Sequence, residues 1–280
     1  MKVVVSGGSG LVGTAVVQDL VQHGYEVLIT DQRPPHTALA PYKLVNLEDL
    51  GQVYGVLAGA QAVAHLAAIP RPLYHPSEVV FRTNVLAIFN VFEAACQLGI
   101  KRVVYASSMS VLGYPFYHRY FQPHYVPIDE EHPPLPQDAY ALSKYLGEEI
   151  ALAFTRRSEM TAISLRLSWI HTPASFKEMI VPLWAKADET VAANLWVYVD
   201  SRDVAQAFRL ALTADLTGHH AFFISAPNSF MKTPTAALLQ QFYPDTEIRA
   251  TLSGNQSPIS SAKAEEVLGY KAQYTWESYF

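Results

Sequence analysis

The sequence predicts an α/β protein built on a doubly wound parallel sheet, and three observations carry that expectation. Up to Leu167, short β-branched runs alternate with longer segments of helical period, as in strands joined by crossover helices. Runs such as VVV and RVVY lack polar alternation, which marks strands buried on both faces. Half of the 280 residues are apolar and 16% are charged, ample material for one large core.

Taken in order, strands are expected at Lys2–Ser6, Glu26–Thr30, Tyr42–Asn46, Ala62–Ala67, Arg102–Ser107 and Ala162–Leu167. Helices are expected at Leu11–His23, Glu78–Gly99 and Asp138–Arg157. After Leu167 the rhythm changes. SWIHTPASFKEM breaks the alternation, LWVYVD reads as a strand, and a helix over Asp203–Thr213 followed by HAFFIS reads as a return to the sheet. The expected division is a sheet domain over 1–167, with its return at about 195–226, and a small C-terminal α/β cap from 168–194 and 227–280.

Composition excludes several classes. Twenty Lys+Arg against 25 Asp+Glu, with the basic residues scattered, leave no phosphate-neutralising face, so no nucleic-acid partner is expected. The single Cys96 has no companions at metal-ligand spacing; it reads as a small core residue, and no metal is expected. MKVVVSGGSG reaches glycine too soon for a signal peptide, and no 18 uncharged apolar residues run together. A cytoplasmic protein with no membrane partner is the expectation.

Gly113–Gln137 stands out, with six prolines and three histidines among its tyrosines. Proline forbids regular helix there, and an ordered loop of this length is usually functional.

The first motif with chemistry is Gly7-Gly8-Ser9-Gly10-Leu11-Val12-Gly13, between a strand and the helix it opens. Glycines at 7, 10 and 13 permit a tight turn, close approach to a pyrophosphate and close helix packing, while the helix start offers free N–H groups. Asp31 ends the second strand 18 positions after Gly13. A carboxylate there accepts both hydroxyl protons of an adenosine ribose and repels a 2′-phosphate, which favours NAD over NADP. Arg33 works the other way, since a guanidinium can clamp that phosphate.

Tyr140-Ala-Leu-Ser-Lys144 opens a helix, with its tyrosine and lysine one turn apart on one face. An ammonium beside the phenol is expected to favour the phenolate and make it a usable base. Ser107 and Ser108 end the strand RVVYASS, where a parallel sheet offers residues to its ligand crevice.

In this order, these motifs resemble the extended short-chain dehydrogenase/reductases of the NAD-dependent epimerase/dehydratase type, on a Rossmann-type fold. The resemblance covers nearly the whole chain through GGSGLVG, VLITD, VAHLAA, RTNVLAIFNVFEAA around Asn84, VVYASSMSVLG, YALSK and VDSRDVAQAF. It implies that Ser108, with Ser107 as the fallback, Tyr140 and Lys144 are the catalytic residues. It implies a cofactor site from Gly7, Gly10, Leu11, Val12, Gly13, Asp31, Arg33, Asn46, Leu47, Leu66, Ala67, Ala68, Asn84, Tyr140 and Lys144. The helices near Glu78–Gly99 and Asp138–Arg157 commonly pair with their copies in such proteins, which implies a homodimer; Leu86, Phe89, Phe92, Ile150 and Phe154 extend beyond a single apolar stripe, with core packing accounting for about half of them.

Departures from the family pattern narrow the reading. Met109-Ser110 stands where the 4,6-dehydratases have an Asp-Glu pair, so dehydration is disfavoured. Ser168 stands where an asparagine would fall, and the C-terminal part has few arginines for a nucleotide diphosphate. The expected substrate contacts are Ser107, Ser110, Tyr114, Tyr117, His118, Arg119, Arg166 and Arg202. The expected function is an NAD-dependent oxidoreductase acting on a secondary alcohol of a sugar, sugar acid or similar small molecule. A sugar epimerase using the same three residues is the alternative, and a non-catalytic dinucleotide-binding regulator a remote one.

Overall fold

The computed structural model describes residues 1–185 and 189–280, so 186–188 of the expected cap lie outside the described residues. In chain order the elements are β1 (Lys2–Ser6), α1 (Leu11–Gln22), β2 (Glu26–Asp31), β3 (Tyr42–Leu44), α2 (Leu50–Leu57), β4 (Ala62–His65), α3 (Ser77–Gln97) and β5 (Arg102–Ser108). Then come β6 (Tyr125–Val126), α4 (Ala139–Arg157), β7 (Thr161–Leu167), β8 (Trp169–His171), α5 (Pro173–Met179) and α6 (Glu189–Ala192). The chain ends with β9 (Tyr198–Asp200), α7 (Ser201–Thr213), β10 (His219–Ile224), α8 (Thr235–Phe242), β11 (Glu247–Ile248) and α9 (Ala262–Leu268).

Seven strands form one sheet in the order β3-β2-β1-β4-β5-β7-β10, every pair parallel. The order reverses between β1 and β4, and in such a sheet ligands bind in the crevice outside the carboxyl ends at that point. Alternate residues of each strand serve opposite faces. Val3, Val5, Val104 and Ala106 join α1 and α7 through Val16, Val17, Leu20, Val204 and Phe208. Val4, Val103 and Tyr105 join α2, α3 and α4 through Val53, Ile88, Phe92 and Phe154. Burial on both faces explains why these strands read as unbroken apolar runs.

A third apolar cluster lies apart from those two layers. It joins Met109, Val111, Leu112, Tyr114, Val126 and Ile128 to Phe176, Trp196, Tyr198, Phe230, Leu238 and Tyr243. The proline-rich segment is thereby packed into the C-terminal part, with β6 pairing β11. Of LWVYVD only Tyr198–Asp200 is strand, and it pairs with β8 beyond the end of β7, not with the main sheet. The return to the sheet is made by α7, packed on α1, and by β10 beside β7.

Helix starts follow local chemistry. Asp49, Asp138 and Asp200 each accept a backbone N–H at the start of α2, α4 and α7, a capping bond worth about 1 kcal/mol. Arg209 is not on a free solvated face: its Nε donates to Asp19 Oδ2 at 2.8 Å and ties α7 to α1. By length and composition α3 is apolar enough to cross a membrane, but half of it is buried inside the protein and it carries buried Asn84 and Asn90. Cys96 is half-buried at its end.

Candidate active site

The turn between β1 and α1 is built as a cradle. Gly7 has φ +74, and a Cβ there would stand 2.6 Å from the Ala67 nitrogen, so only glycine lets this loop approach the one after β4. A Cβ on Gly13 would overlap the Gly7 carbonyl oxygen. Gly10 caps α1 without any side-chain hydrogen bond, leaving the N–H groups of Leu11 and Val12 directed to the crevice end. Asp31 lies against the same turn, its Oδ2 accepting from the Ser9 nitrogen at 3.1 Å and its Oδ1 from Gln32 at 2.7 Å. Arg33 is exposed two residues on, its backbone carbonyl accepting from Ser9 Oγ at 2.8 Å.

The neighbouring expected cofactor residues frame the cradle. Leu66, Ala67 and Ala68 follow β4 and stay partly exposed. Asn46 is exposed at the end of the third strand segment, and the carbonyl of buried Leu47 accepts from Asn90 Nδ2 at 2.9 Å. Asn84 braces the loop after Ala68: its Oδ1 accepts from the Ile69 nitrogen at 2.8 Å, and its Nδ2 donates to Ser143 Oγ at 3.0 Å on α4.

At the carboxyl end of β5 the structure brings Ser108, Tyr140 and Lys144 together. Burial pushes the Tyr140 phenol up to about 12, a hydrogen bond with the Ser108 side chain works against that, and the Asp138 charge adds to it. Burial also brings Lys144 down to about 7. Its Nζ donates to the Ala106 carbonyl at 2.7 Å and lies 5.6 Å from the Tyr140 ring centre. Desolvation therefore opposes the help that the ammonium is expected to give the phenolate.

Ser110 belongs to the same corner. Ser108 Oγ donates to Ser110 Oγ at 3.0 Å and accepts from the Ser110 nitrogen at 3.1 Å. Four other expected substrate contacts are corrected. Ser107 shares its strand face with Val103 and Tyr105, so it points to α4, where its hydroxyl donates to Glu148 Oε1 at 2.5 Å. Arg166 is held by the same Glu148 carboxylate, Nη2 to Oε2 at 2.9 Å, with both side chains buried. Tyr114 is fully buried in the third cluster, its hydroxyl donating to the Phe121 carbonyl at 3.0 Å. Arg202 is spent on Asp200 at 2.8 Å and on the Tyr274 ring at 3.5 Å, which anchors the C-terminal segment.

The rest of the proline-rich loop divides. Tyr117 is half-buried among Tyr114, Tyr120 and Phe121. His118 and Arg119 are exposed, and both backbone nitrogens donate to Gln137 Oε1, which closes the loop onto the start of α4. The side chain that meets the candidate acid-base residue is Phe116, edge-on to Tyr140 with ring centres 6.4 Å apart. Phe116 lay among the loop aromatics in the sequence but carried no polar signal to single it out. Asp138, also not expected as a site residue, accepts from the nitrogens of Tyr140 and Ala141 through Oδ1, while its buried Oδ2 has no hydrogen-bond partner among the described residues.

A parallel sheet of this order, a glycine cradle at its switch point and a serine, tyrosine and lysine at the end of β5 define an extended short-chain dehydrogenase/reductase. Residues 3–224 match the model of the NAD dependent epimerase/dehydratase family, and the chain belongs to that family. Among its relatives is the uronate dehydrogenase of Pseudomonas putida, 27% identical over 59% of this chain and 60% of that one. The UDP-glucose 4-epimerase of Corynebacterium glutamicum is 23% identical over 98% of this chain and 92% of that one. The chain thus spans about three fifths of the uronate dehydrogenase it matches. Among solved structures, a short-chain dehydrogenase/reductase superfamily protein from Agrobacterium tumefaciens with bound NAD superposes with a TM-score of 0.76 at 24% identity, covering 100% of this chain and 94% of that one.

Proposed function

We propose that the protein is an NAD-dependent oxidoreductase that oxidises a secondary alcohol of a sugar, sugar acid or similar small polar molecule. The observation that carries this reading is the convergence of Ser108, Tyr140 and Lys144 at the carboxyl end of β5, beside the switch point of the sheet. The cradle suits a dinucleotide on its own geometry, since side chains at Gly7 and Gly13 would fill it and α1 starts with free N–H groups. Asp31 would take the adenosine ribose, and Lys144 the ribose nearer the reaction.

Bound NAD supplies the acceptor for the hydrogen that leaves carbon with its electron pair. Tyr140 accepts the hydroxyl proton at its phenolic oxygen, and Ser108 Oγ donates a hydrogen bond to the same substrate oxygen as it becomes a carbonyl. Lys144 holds the negative charge that Tyr140 carries before that transfer. Phe116 meets the Tyr140 ring edge-on and adds an apolar wall beside it. We assign substrate choice to a cap of 168–194 and 227–280, joined by the 113–137 loop that packs with it.

Stoichiometric NADH formation with one substrate from a panel of sugars, sugar acids and nucleotide sugars tests this reading; product stereoisomers without NADH would replace it by an epimerase. The epimerase reading has its own support in the near full-length match to the Corynebacterium enzyme. A homodimer through α3 and α4 is part of the proposal, supported by Leu86, Phe89 and Leu142, which are exposed on those helices. Phe89→Asp should then give a monomer by light scattering.

A further inference from the structure

Lys144 is a charge in an apolar surrounding. It is 4% exposed, its Nζ donates to the Ala106 carbonyl, and none of the ion pairs among the described residues includes it. An ammonium buried without a counter-charge loses its proton unless something else attracts it. Two aromatic rings lie within range, Tyr105 at 5.0 Å and Tyr140 at 5.6 Å from Nζ. Tyr140 changes its own charge in the proposed reaction. Tyr105 does not, so its ring is the constant element.

That ring is fixed from two sides. It stacks on His65 with centres 5.8 Å apart and planes 18° apart, and His65 Nδ1 is 2.6 Å from Ser6 Oγ. On the side of α4, a Cβ at Gly147 would stand 2.5 Å from the Tyr105 hydroxyl and 2.7 Å from its ring. The helix that carries Tyr140 and Lys144 closes onto Tyr105 because residue 147 is glycine.

We propose that Tyr105 is a positioning residue for the acid-base pair, a buried aromatic platform that keeps the Lys144 side chain charged and aimed beside Tyr140. This rests on the catalytic reading of Tyr140 and Lys144. The groups around the pair are His65 from β4, Tyr105 and the Ala106 carbonyl from β5, and the helix-capping Asp138 at the start of α4, while Glu148 of α4 acts on Tyr105 and is paired with Arg166 of β7. Burial and the Lys144 charge hold His65 neutral, down at about 3, so it adds no counter-charge. The working form, phenolate plus ammonium, is a proton-transfer isomer of the neutral pair. Each unit lost from the amine lowers that form about tenfold and moves the acid limb of the rate to lower pH by one unit.

The test replaces Tyr105 by phenylalanine and then by 4-fluoro-, 3,5-difluoro- and 3,4,5-trifluorophenylalanine, which keep the shape of the ring and drain the negative charge from its face. The Lys144 titration is read by NMR of the 13Cε-labelled ligand-free protein, its signal assigned by its loss in Lys144→Met. Tyr105→Phe should keep the midpoint, and fluorination should lower it stepwise by about one pH unit over the series. The acid limb of kcat/KM should follow by the same amount. A midpoint unmoved across the series overturns the proposal, whatever the turnover. Tyr140→Phe tests the underlying reading separately: unchanged turnover there removes the catalytic assignment, while the NMR midpoint still decides whether Tyr105 holds the charge.

Discussion

Glu148 offers the sharpest test of how the site is held. Its carboxylate accepts from Arg166 Nη2 at 2.9 Å and Nε at 3.1 Å, and from the Ser107 hydroxyl at 2.5 Å. The Glu148 and Arg166 side chains are 5% and 8% exposed. Replacing Glu148 by leucine takes from the buried guanidinium the carboxylate it is bonded to, which costs about 3–5 kcal/mol. Unfolding entropy for a chain of 280 residues is about 0.6 kcal/mol/K, so Tm should fall by about 5–8 °C. Replacing both partners, Glu148→Leu with Arg166→Met, removes that charge as well and should return stability to within about 1–2 kcal/mol of the parent, the remainder being the unpaired Ser107 hydroxyl. Urea unfolding of the four members of the cycle gives the coupling directly. A single variant within 1 kcal/mol of the parent, or a double variant no better than the single, refutes the reasoning.

Tyr140→Phe should lower kcat by about 10²–10⁴-fold with dinucleotide affinity kept, as judged by turnover and calorimetry. Gly13→Ala forces a methyl into the Gly7 carbonyl and should abolish dinucleotide binding in the same titration, while the far-ultraviolet circular dichroism stays native. Asp31→Ser should move preference from NAD towards NADP, measured as the ratio of kcat/KM for the two cofactors. Burial holds His65 down at about 3 and His132, His171 and His219 at about 4, so the unfolded chain binds more protons below pH 6.5 and stability rises with pH across that window. Acidification from 6.5 towards 4 should cost about 1.4 kcal/mol per pH unit for each such histidine, read as a falling urea midpoint; a flat profile removes this account.

The strands were legible because burial on both faces writes itself as apolar runs, and the cradle because its glycines are adjacent in sequence. Strand alternation separates the two serines: residues 103, 105 and 107 share the face turned to α4, where Ser107 meets Glu148, which leaves Ser108 for the crevice corner. Arg166 and Arg202 looked like free cations in the sequence. Glu148 reaches Arg166 only through the packing of α4 on the sheet, and Tyr274 reaches Arg202 only through the C-terminal segment, whereas Asp200 stands two residues before Arg202. The downward shift of the Lys144 amine and the upward shift of the Tyr140 phenol follow from burial, which no local pattern reports.

The proline-rich loop explains why substrate choice is harder to read than the chemistry. Tyr114 and Phe121 are packed with Tyr243 and Trp196 from the C-terminal part, and Tyr120 Oη donates to the Phe242 carbonyl at 2.6 Å. Gln122 exchanges two hydrogen bonds with Asp245. The loop that brings Phe116 to Tyr140 is therefore set partly by contacts with residues more than a hundred positions later, which its own sequence does not contain. A substitution at Phe242 or Asp245 that loosens this docking should act at the active site through Phe116. The proposed acid-base residues, by contrast, sit on one turn of α4 and the end of β5, where the sheet register fixes them whatever the loop does. Chemistry written in local spacing and specificity written in long-range packing are separable in this reading, so variants of the loop docking should raise KM for the substrate with little change in dinucleotide affinity.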